Sequence, residues 1–379
     1  MWILTNILIF LSAIFFIPFI HGDNFCFPKN VIFILLGFCI LSTSFMKEKI
    51  QSFTNKWLGF ILIYTILQFI WFFFKPLIFI INGKVAWNLW NYIPTINVIL
   101  SIFLIKTLVE YTDTLHRWIT VSKILIWVSF GLAIYGILQY IGLDQIFSRF
   151  QWILFTKSGR MVTFFGNSMQ TGNYLAVCSP LCLMFKSLKY KIIYGVILIA
   201  ILFTQSAISI ASFLIGLLIY LLLTRKFKWC IVVILFSIAG ALVLNSFNPD
   251  VWSFGSRLSL WEKIFVSSTD YCFTGRGLGS FANMVYSDTK TSAIVGAAQF
   301  ELLQIFHDGG IVMLGLSLCY LFGLFIRYLF AENTMLLIGF ISAFISYLVM
   351  CFGSSPLRIA PLALIGILYI SGIEVQLKK

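Results

Sequence analysis

Roughly a dozen apolar stretches, each long enough to cross a lipid bilayer, follow one another along this 379-residue chain. They cover about residues 2–20, 30–46, 57–74, 94–109, 118–141, 169–186, 191–205, 207–224, 229–246, 309–329, 333–353 and 357–374. A helix rises about 1.5 Å per residue and bilayer hydrocarbon is about 30 Å thick, so about 20 apolar residues span it, or about 17 where flanking side chains snorkel. The pattern predicts an all-α polytopic membrane protein of about twelve transmembrane helices, packed as one domain over residues 1–379. Its longest break starts at residue 247, and the segment 247–298 holds many of the chain's unusual polar residues.

Only 10% of the residues are charged and the mean hydropathy is +1.00, where a soluble domain usually carries about a quarter charged residues. The net charge of +13 would suit a nucleic-acid binder if it were gathered on one face. It lies instead in the loops between apolar spans, as membrane topology requires, and nucleic acid is excluded as a partner. With a cytoplasmic N-terminus, one side receives Lys47, Lys49, Lys56, Arg117, Lys186, Lys189, Lys191, Arg225, Lys226, Lys228, Arg327, Lys378 and Lys379. The other receives Lys29, Lys75, Lys84, Arg149, Lys157, Arg160 and Arg358, apart from the long loop, which counts little toward orientation. Both termini are therefore expected inside, and 247–298 is expected to be an extracytoplasmic loop with short helices.

The first span has no basic n-region and no small-residue cleavage site at Ile20-His21-Gly22-Asp23, so it reads as an uncleaved helix. The eight cysteines form no CxxC pair, and only Cys26 and Cys272 fall on the outer side, where an oxidising compartment would allow them to pair. His21, His116 and His307 lie far apart with no ligand cluster around them, which disfavours a metal site.

Polar residues beside membrane spans are where function concentrates, because a charge in hydrocarbon costs about 2.5–3.5 kcal/mol unless it is paired or hydrated. Three outer segments stand out: Gly159 to Asn167 with Thr171-Gly172-Asn173-Tyr174; Gly255 to Lys263 with Thr274 to Phe281; and Gln299 to Gly310. Each also has an ordinary reading. Gly166 and Asn167 suit a turn ahead of a helix. Arg257 and Trp261, four apart, suit the solvated face of a loop helix. Gly275, Gly277 and Gly279 have the wrong spacing for a dinucleotide loop. Glu301, Gln304 and Asp308 share one helical face, which suits a wet flank.

In their order along the chain these segments resemble the O-antigen ligase and polymerase family, membrane enzymes that move glycans off a polyprenyl pyrophosphate carrier. The resemblance covers about residues 130–325 and rests on Gly136-Ile137-Leu138-Gln139-Tyr140, on Arg160 followed by Thr163 to Asn167, and on Asn173-Tyr174-Leu175-Ala176. The loop adds Arg257 to Trp261 and Gly275 through Phe281. Two positions depart from the family pattern. Gln299 stands where the family has a histidine credited with activating the acceptor, and a glutamine has no pKa with which to take a proton. Thr204-Gln205-Ser206-Ala207 lacks the arginine of the family's corresponding turn.

The resemblance implies a metal-independent glycosyltransferase that needs no cofactor and works on the outer face of a bacterial inner membrane. Its donor is a polyprenyl-pyrophosphate-linked glycan, its acceptor a second glycan, and other polysaccharide-assembly proteins are potential partners. Negative charge grows on the departing pyrophosphate, which fixed guanidinium groups stabilise. Arg160 and Arg257 are the expected catalytic cations, with Glu301 as base and Gln299 as the altered acceptor position. Asn167, Asn173, Trp261, Arg276, Gln304 and Asp308 are the expected substrate-binding residues, while His307 ranks below Glu301 and Asp308 as a base. The missing histidine favours a polymerase over a ligase, which joins glycan to a lipid or protein. The rival from another class is a solute transporter or flippase, whose usual inverted repeat is not evident between residues 1–190 and 191–379.

Overall fold

A computed structural model describes residues 2–14, 27–45, 56–78, 93–111, 114–143, 160–235, 254–277, 298 and 300–378. Every regular element among them is helical. The helices are α1 (Trp2–Ile14), α2 (Phe27–Phe45), α3 (Lys56–Ile78), α4 (Ile93–Tyr111), α5 (Leu115–Tyr140), α6 (Ser168–Cys178), α7 (Leu188–Thr204) and α8 (Ala207–Leu223). They continue with α9 (residues 227–235), α10 (Phe254–Ser268), α11 (Glu301–Leu329), α12 (Met335–Met350) and α13 (Ala360–Leu377). Helices thus lie over the described part of each apolar stretch. The expected loop 247–298 is described only at 254–277 and 298, where α10 is its helix; Gln299 and Cys26 lie outside the described residues.

The centre of the bundle is α6, whose residues from Thr171 onward are all buried against α5, α7, α8 and α12. Ordinary α-helix stops there at Cys178, because Pro180 has no N–H to give to the ladder. The chain continues as a tighter 3-10 helix, Ser179–Met184, and the Ser179 hydroxyl turns back to the Ala176 carbonyl at 2.8 Å. Around this post the core is filled by apolar and aromatic side chains. Trp118 meets Phe340 edge-on, Phe340 meets Tyr369, and the Tyr369 hydroxyl reaches the Val177 carbonyl at 2.8 Å.

The outer surface is apolar as well. On α3, Phe60, Ile63, Leu67 and Ile70 form an exposed stripe at helical spacing, and on α11 Ile311, Leu318, Phe322 and Phe325 do the same. Phe322 is 63% exposed and Leu35 60%. Apolar faces of this extent are rare on soluble monomers and suit contact with hydrocarbon. Leu115–Tyr140 and Glu301–Leu329 are both long and apolar enough to cross a membrane.

At one end of the bundle Glu374, on α13, receives both arms of the Arg327 guanidinium at 2.7 and 2.8 Å, and the Tyr320 hydroxyl at 3.2 Å. Pairing of this kind allows a carboxylate to be buried between apolar helices.

Candidate functional site

The opposite end of the bundle gathers the polar residues singled out in the sequence, beginning where α5 ends. Gln139 is fully buried, and its Oε1 accepts the backbone N–H groups of Val162 and Thr163, each at 3.0 Å. Met161 N–H donates to the Phe203 carbonyl at 3.2 Å, so the segment from Arg160 to Thr163 is sewn to α5 on one side and to α7 on the other. Gly136 lets this strip lie close, since a Cβ there would fall 2.1 Å from the Met161 sulfur. Arg160 leads the strip with its side chain half-buried.

Asn167 caps α6: its Oδ1 accepts the N–H of Met169 at 2.9 Å and of Gln170 at 3.4 Å. These are orphan donors that any helix start must satisfy. Nearly two turns further, Asn173 is fully buried and joins three elements. The Ser209 hydroxyl donates to its Oδ1 at 2.9 Å, and its Nδ2 donates to Ser354 Oγ at 3.2 Å. Ser209 Oγ also lies 2.8 Å from Ser206 Oγ. Asn167 and Asn173 therefore spend these side-chain contacts on the scaffold.

Helix α11 is two helices joined at Gly310, which has φ 67° and ψ −171°. The break frees carbonyls that a continuous helix would bond, and neighbours take them up. Arg276 N–H donates to the His307 carbonyl at 2.9 Å, Gly277 N–H to that of Asp308 at 2.8 Å, and the Tyr64 hydroxyl to that of Gly309 at 2.8 Å. In return Ile311 N–H donates to the Cys272 carbonyl at 2.7 Å. A Cβ on Gly275 would fall 2.4 Å from the Asp308 carbonyl oxygen, and one on Gly310 would fall 2.2 Å from that of Phe273. The glycine-rich turn is thus a backbone clamp on the break. Cys272, within it, is a free thiol.

Arg276 follows the clamp. Its Nη2 donates to the Ser267 carbonyl at 2.7 Å and its guanidinium lies 4.9 Å from the centre of the Tyr271 ring. Those contacts direct it toward the end of α10.

The short first half of α11 divides the face on which Glu301, Gln304 and Asp308 were expected together. Glu301 is 5% exposed and turns to the α12–α13 connection, where its N–H donates to the Cys351 carbonyl at 2.8 Å and its Oε2 accepts the Leu357 N–H at 3.4 Å. Gln304 turns the other way, its Oε1 accepting the Ala298 N–H at 2.9 Å and its Nε2 donating to Asp308 Oδ2 at 3.2 Å. Asp308 Oδ1 lies 2.9 Å from His307 Nδ1, both side chains being buried. His307, which the sequence ranked below Glu301 and Asp308, is thus joined to Asp308 in this network.

Helix α10 packs on the same half of α11 through Leu260, Ile264 and Leu303. Trp261 donates its indole N–H to the Ala298 carbonyl at 3.0 Å, and its ring lies 5.1 Å from that of Phe300. Arg257 sits one turn before Trp261, partly buried, and burial lowers its pKa from the usual value. A guanidinium remains charged under such a shift.

Hydrogen bonds therefore link these elements in turn: Trp261 of α10 to Ala298, Ala298 to Gln304 of α11, Glu301 of α11 to Cys351 in the α12–α13 connection, Ser354 of that connection to Asn173 of α6, and Thr171 of α6 to Val162 and Thr163 beside Arg160. Arg160 and Arg257 stand at the two ends of this series. Tyr64, Gln68, Ser206, Ser209 and Ser354 were not anticipated as site residues from sequence; for Tyr64, Gln68 and Ser209 a polar residue within an apolar span was the available signal, while Ser206 and Ser354 lie between spans. No group of three His, Cys, Asp or Glu side chains suited to a metal ion occurs among the described residues. No protein-family model matches the chain, and no curated protein matches it.

Proposed function

We propose that this protein is a multi-pass membrane glycosyltransferase of the O-antigen polymerase type. In this reading it joins repeat units carried on polyprenyl pyrophosphate at the outer face of a bacterial inner membrane. The observation that carries the reading is the series of contacts linking the Arg160 strip, the first half of α11 and the Arg257 helix at one end of an apolar bundle. The twelve-span topology with both termini inside rests on the Lys/Arg bias, and it sets that polar end outside.

The chemistry asked of these residues is modest. An acceptor hydroxyl attacks the anomeric carbon of the donor, the bond from that carbon to the pyrophosphate oxygen breaks, and polyprenyl pyrophosphate leaves. Arg160 and Arg257 supply fixed positive charge for the leaving oxygens, which is worth most where water is scarce. The hydroxyl proton passes to the Glu301 carboxylate, the titratable side chain nearest in sequence to Gln299. Because the leaving group is already good, transfer of that proton can be late, which is compatible with glutamine in place of histidine.

A broken helix such as α11 is also a mark of solute transporters, whose unwound carbonyls coordinate ions. Here the carbonyls of His307, Asp308 and Gly309 are already bonded to Arg276, Gly277 and Tyr64, which favours the enzyme reading. The test is reconstitution of the purified protein in proteoliposomes with a polyprenyl-pyrophosphate-linked oligosaccharide. A ladder of lengthened glycans with matching release of polyprenyl pyrophosphate is expected. Single-step transfer onto a lipid or protein acceptor would make it a ligase, and solute uptake without transfer would overturn the proposal.

A further inference from the structure

We infer that the groove between α1 and α5 holds one acyl chain of an anionic phospholipid, whose phosphate is bound by Lys123 and Lys189. The groove is a cavity of about 500 Å³ lined by Phe10 of α1, by Lys123, Trp127 and Gly131 of α5, and by Phe164 at its far end. Along α5 its lining runs from Thr120 to Leu132, about 18 Å of helix rise. That is close to the ~15 Å hydrocarbon depth of a single leaflet. A Cβ on Gly131 would meet nothing within 4 Å, so the missing side chain is part of what keeps the groove open.

Charge at one end of the groove decides between occupants. Lys189 lies 4.8 Å from the centre of the Trp127 ring and 5.4 Å from that of Tyr190. Lys123 lies 5.9 Å from Phe185, which stacks on Tyr190 at 4.3 Å. Two ammonium groups therefore bracket one aromatic cluster, and the cluster joins the apolar groove through Lys123 and Trp127, which line it. Among the described residues no carboxylate forms an ion pair with either lysine. A neutral lipid leaves that charge uncompensated, whereas a phosphodiester with no balancing choline neutralises it. Both lysines lie toward the N-terminal ends of α5 and α7, with Arg117, Lys186 and Lys191, on the side read as cytoplasmic. The inference needs the membrane reading but not the transferase reading.

The experiment uses the full-length protein in mild detergent, titrated with phosphatidylglycerol or phosphatidylcholine of identical chains and followed by native mass spectrometry. Wild type should retain phosphatidylglycerol about tenfold more tightly, a difference of about 1.4 kcal/mol. The K123Q/K189Q pair should lose that preference while K186Q keeps it, and Gly131→Leu should weaken both lipids by filling the groove. Free glycerol phosphate should not compete. Equal retention of the two lipids by wild type, or an unchanged preference in K123Q/K189Q, would overturn the inference in favour of lysines that only snorkel. Competition by glycerol phosphate would overturn the acyl-chain component. Wild type that retains neither lipid and fails to float with liposomes would instead remove the membrane reading beneath it. The lysine pair is solvent-accessible, so its result stands even if Gly131→Leu does not fold.

Discussion

Gln139 holds Thr163 by its backbone: Oε1 accepts the Thr163 N–H at 3.0 Å, and the Val162 N–H at the same distance, from a side chain with no exposure. One amide oxygen at the end of α5 thereby fixes the strip that carries Arg160. Gln139→Leu is expected to strand two buried donors, at about 1–3 kcal/mol each. Thermal unfolding in detergent should fall accordingly, and transfer activity should fall with it because Arg160 loses its anchor. Gln139→Glu keeps an acceptor and should unfold nearer to wild type.

The clamp on α11 gives a sharper contrast. Gly275→Ala and Gly310→Ala each drive a Cβ into a backbone carbonyl at a positive φ, of 69° and 67°. Either should destabilise by about 2 kcal/mol or more, since neither backbone can yield cheaply. Gly315→Ala and Gly323→Ala lie in the same helix with open space around them, and should be neutral or gain up to about 1 kcal/mol. Melting curves of the four variants measured side by side check the pattern.

For the arginines the readout is transfer. Arg160→Ala and Arg257→Ala are each expected to lower the rate by about 3–4 kcal/mol of barrier, the worth of one preorganised donor. Lysine at either position should rescue only part, for want of the planar fork. Folding should be little changed, because both side chains are partly exposed. Alanine variants with full turnover would detach these residues from the chemistry.

Glu301→Gln separates base from scaffold. Its amide oxygen can still accept from the Leu357 N–H, so the melting temperature should hold. Turnover should fall by about 10²-fold or more, the contribution typical of a positioned base. A variant fully active from acid to neutral pH would remove Glu301 as the base.

At the other end of the bundle, Glu374→Gln leaves the charged Arg327 guanidinium one acceptor oxygen in place of two and sets an amide NH2 against its other arm. It should cost about 1.5–3 kcal/mol in stability without affecting transfer chemistry at the far end. Chemical denaturation in mixed micelles, alongside a transfer assay at a temperature where both proteins are folded, checks both halves.

Helix positions were legible in the sequence because a long apolar run offers its backbone polar groups no side-chain partners, so they are bonded within their own segment. Runs of Phe, Leu and Ile therefore announced α5, α8 and α12 without reference to their neighbours. Even the departure at α11 has a local mark in Gly309-Gly310, and the shared helical face of Glu301, Gln304 and Asp308 announced the helix ahead of it. What no local pattern showed is that the break is held by Cys272, Arg276 and Gly277, which arrive from elsewhere to take up the interrupted ladder.

The chain by itself thus determined an all-helical, apolar architecture and named the segments in which polar chemistry is concentrated. Only the tertiary structure decided what those polar residues do. Asn167 became a helix cap, Asn173 a junction between helices, Gly275 a close backbone contact, and Glu301 parted from Gln304 to face Leu357. The reason is physical: apolar burial depends on each segment's own composition, whereas a hydrogen bond needs a partner within about 3 Å, here supplied from up to 245 residues away.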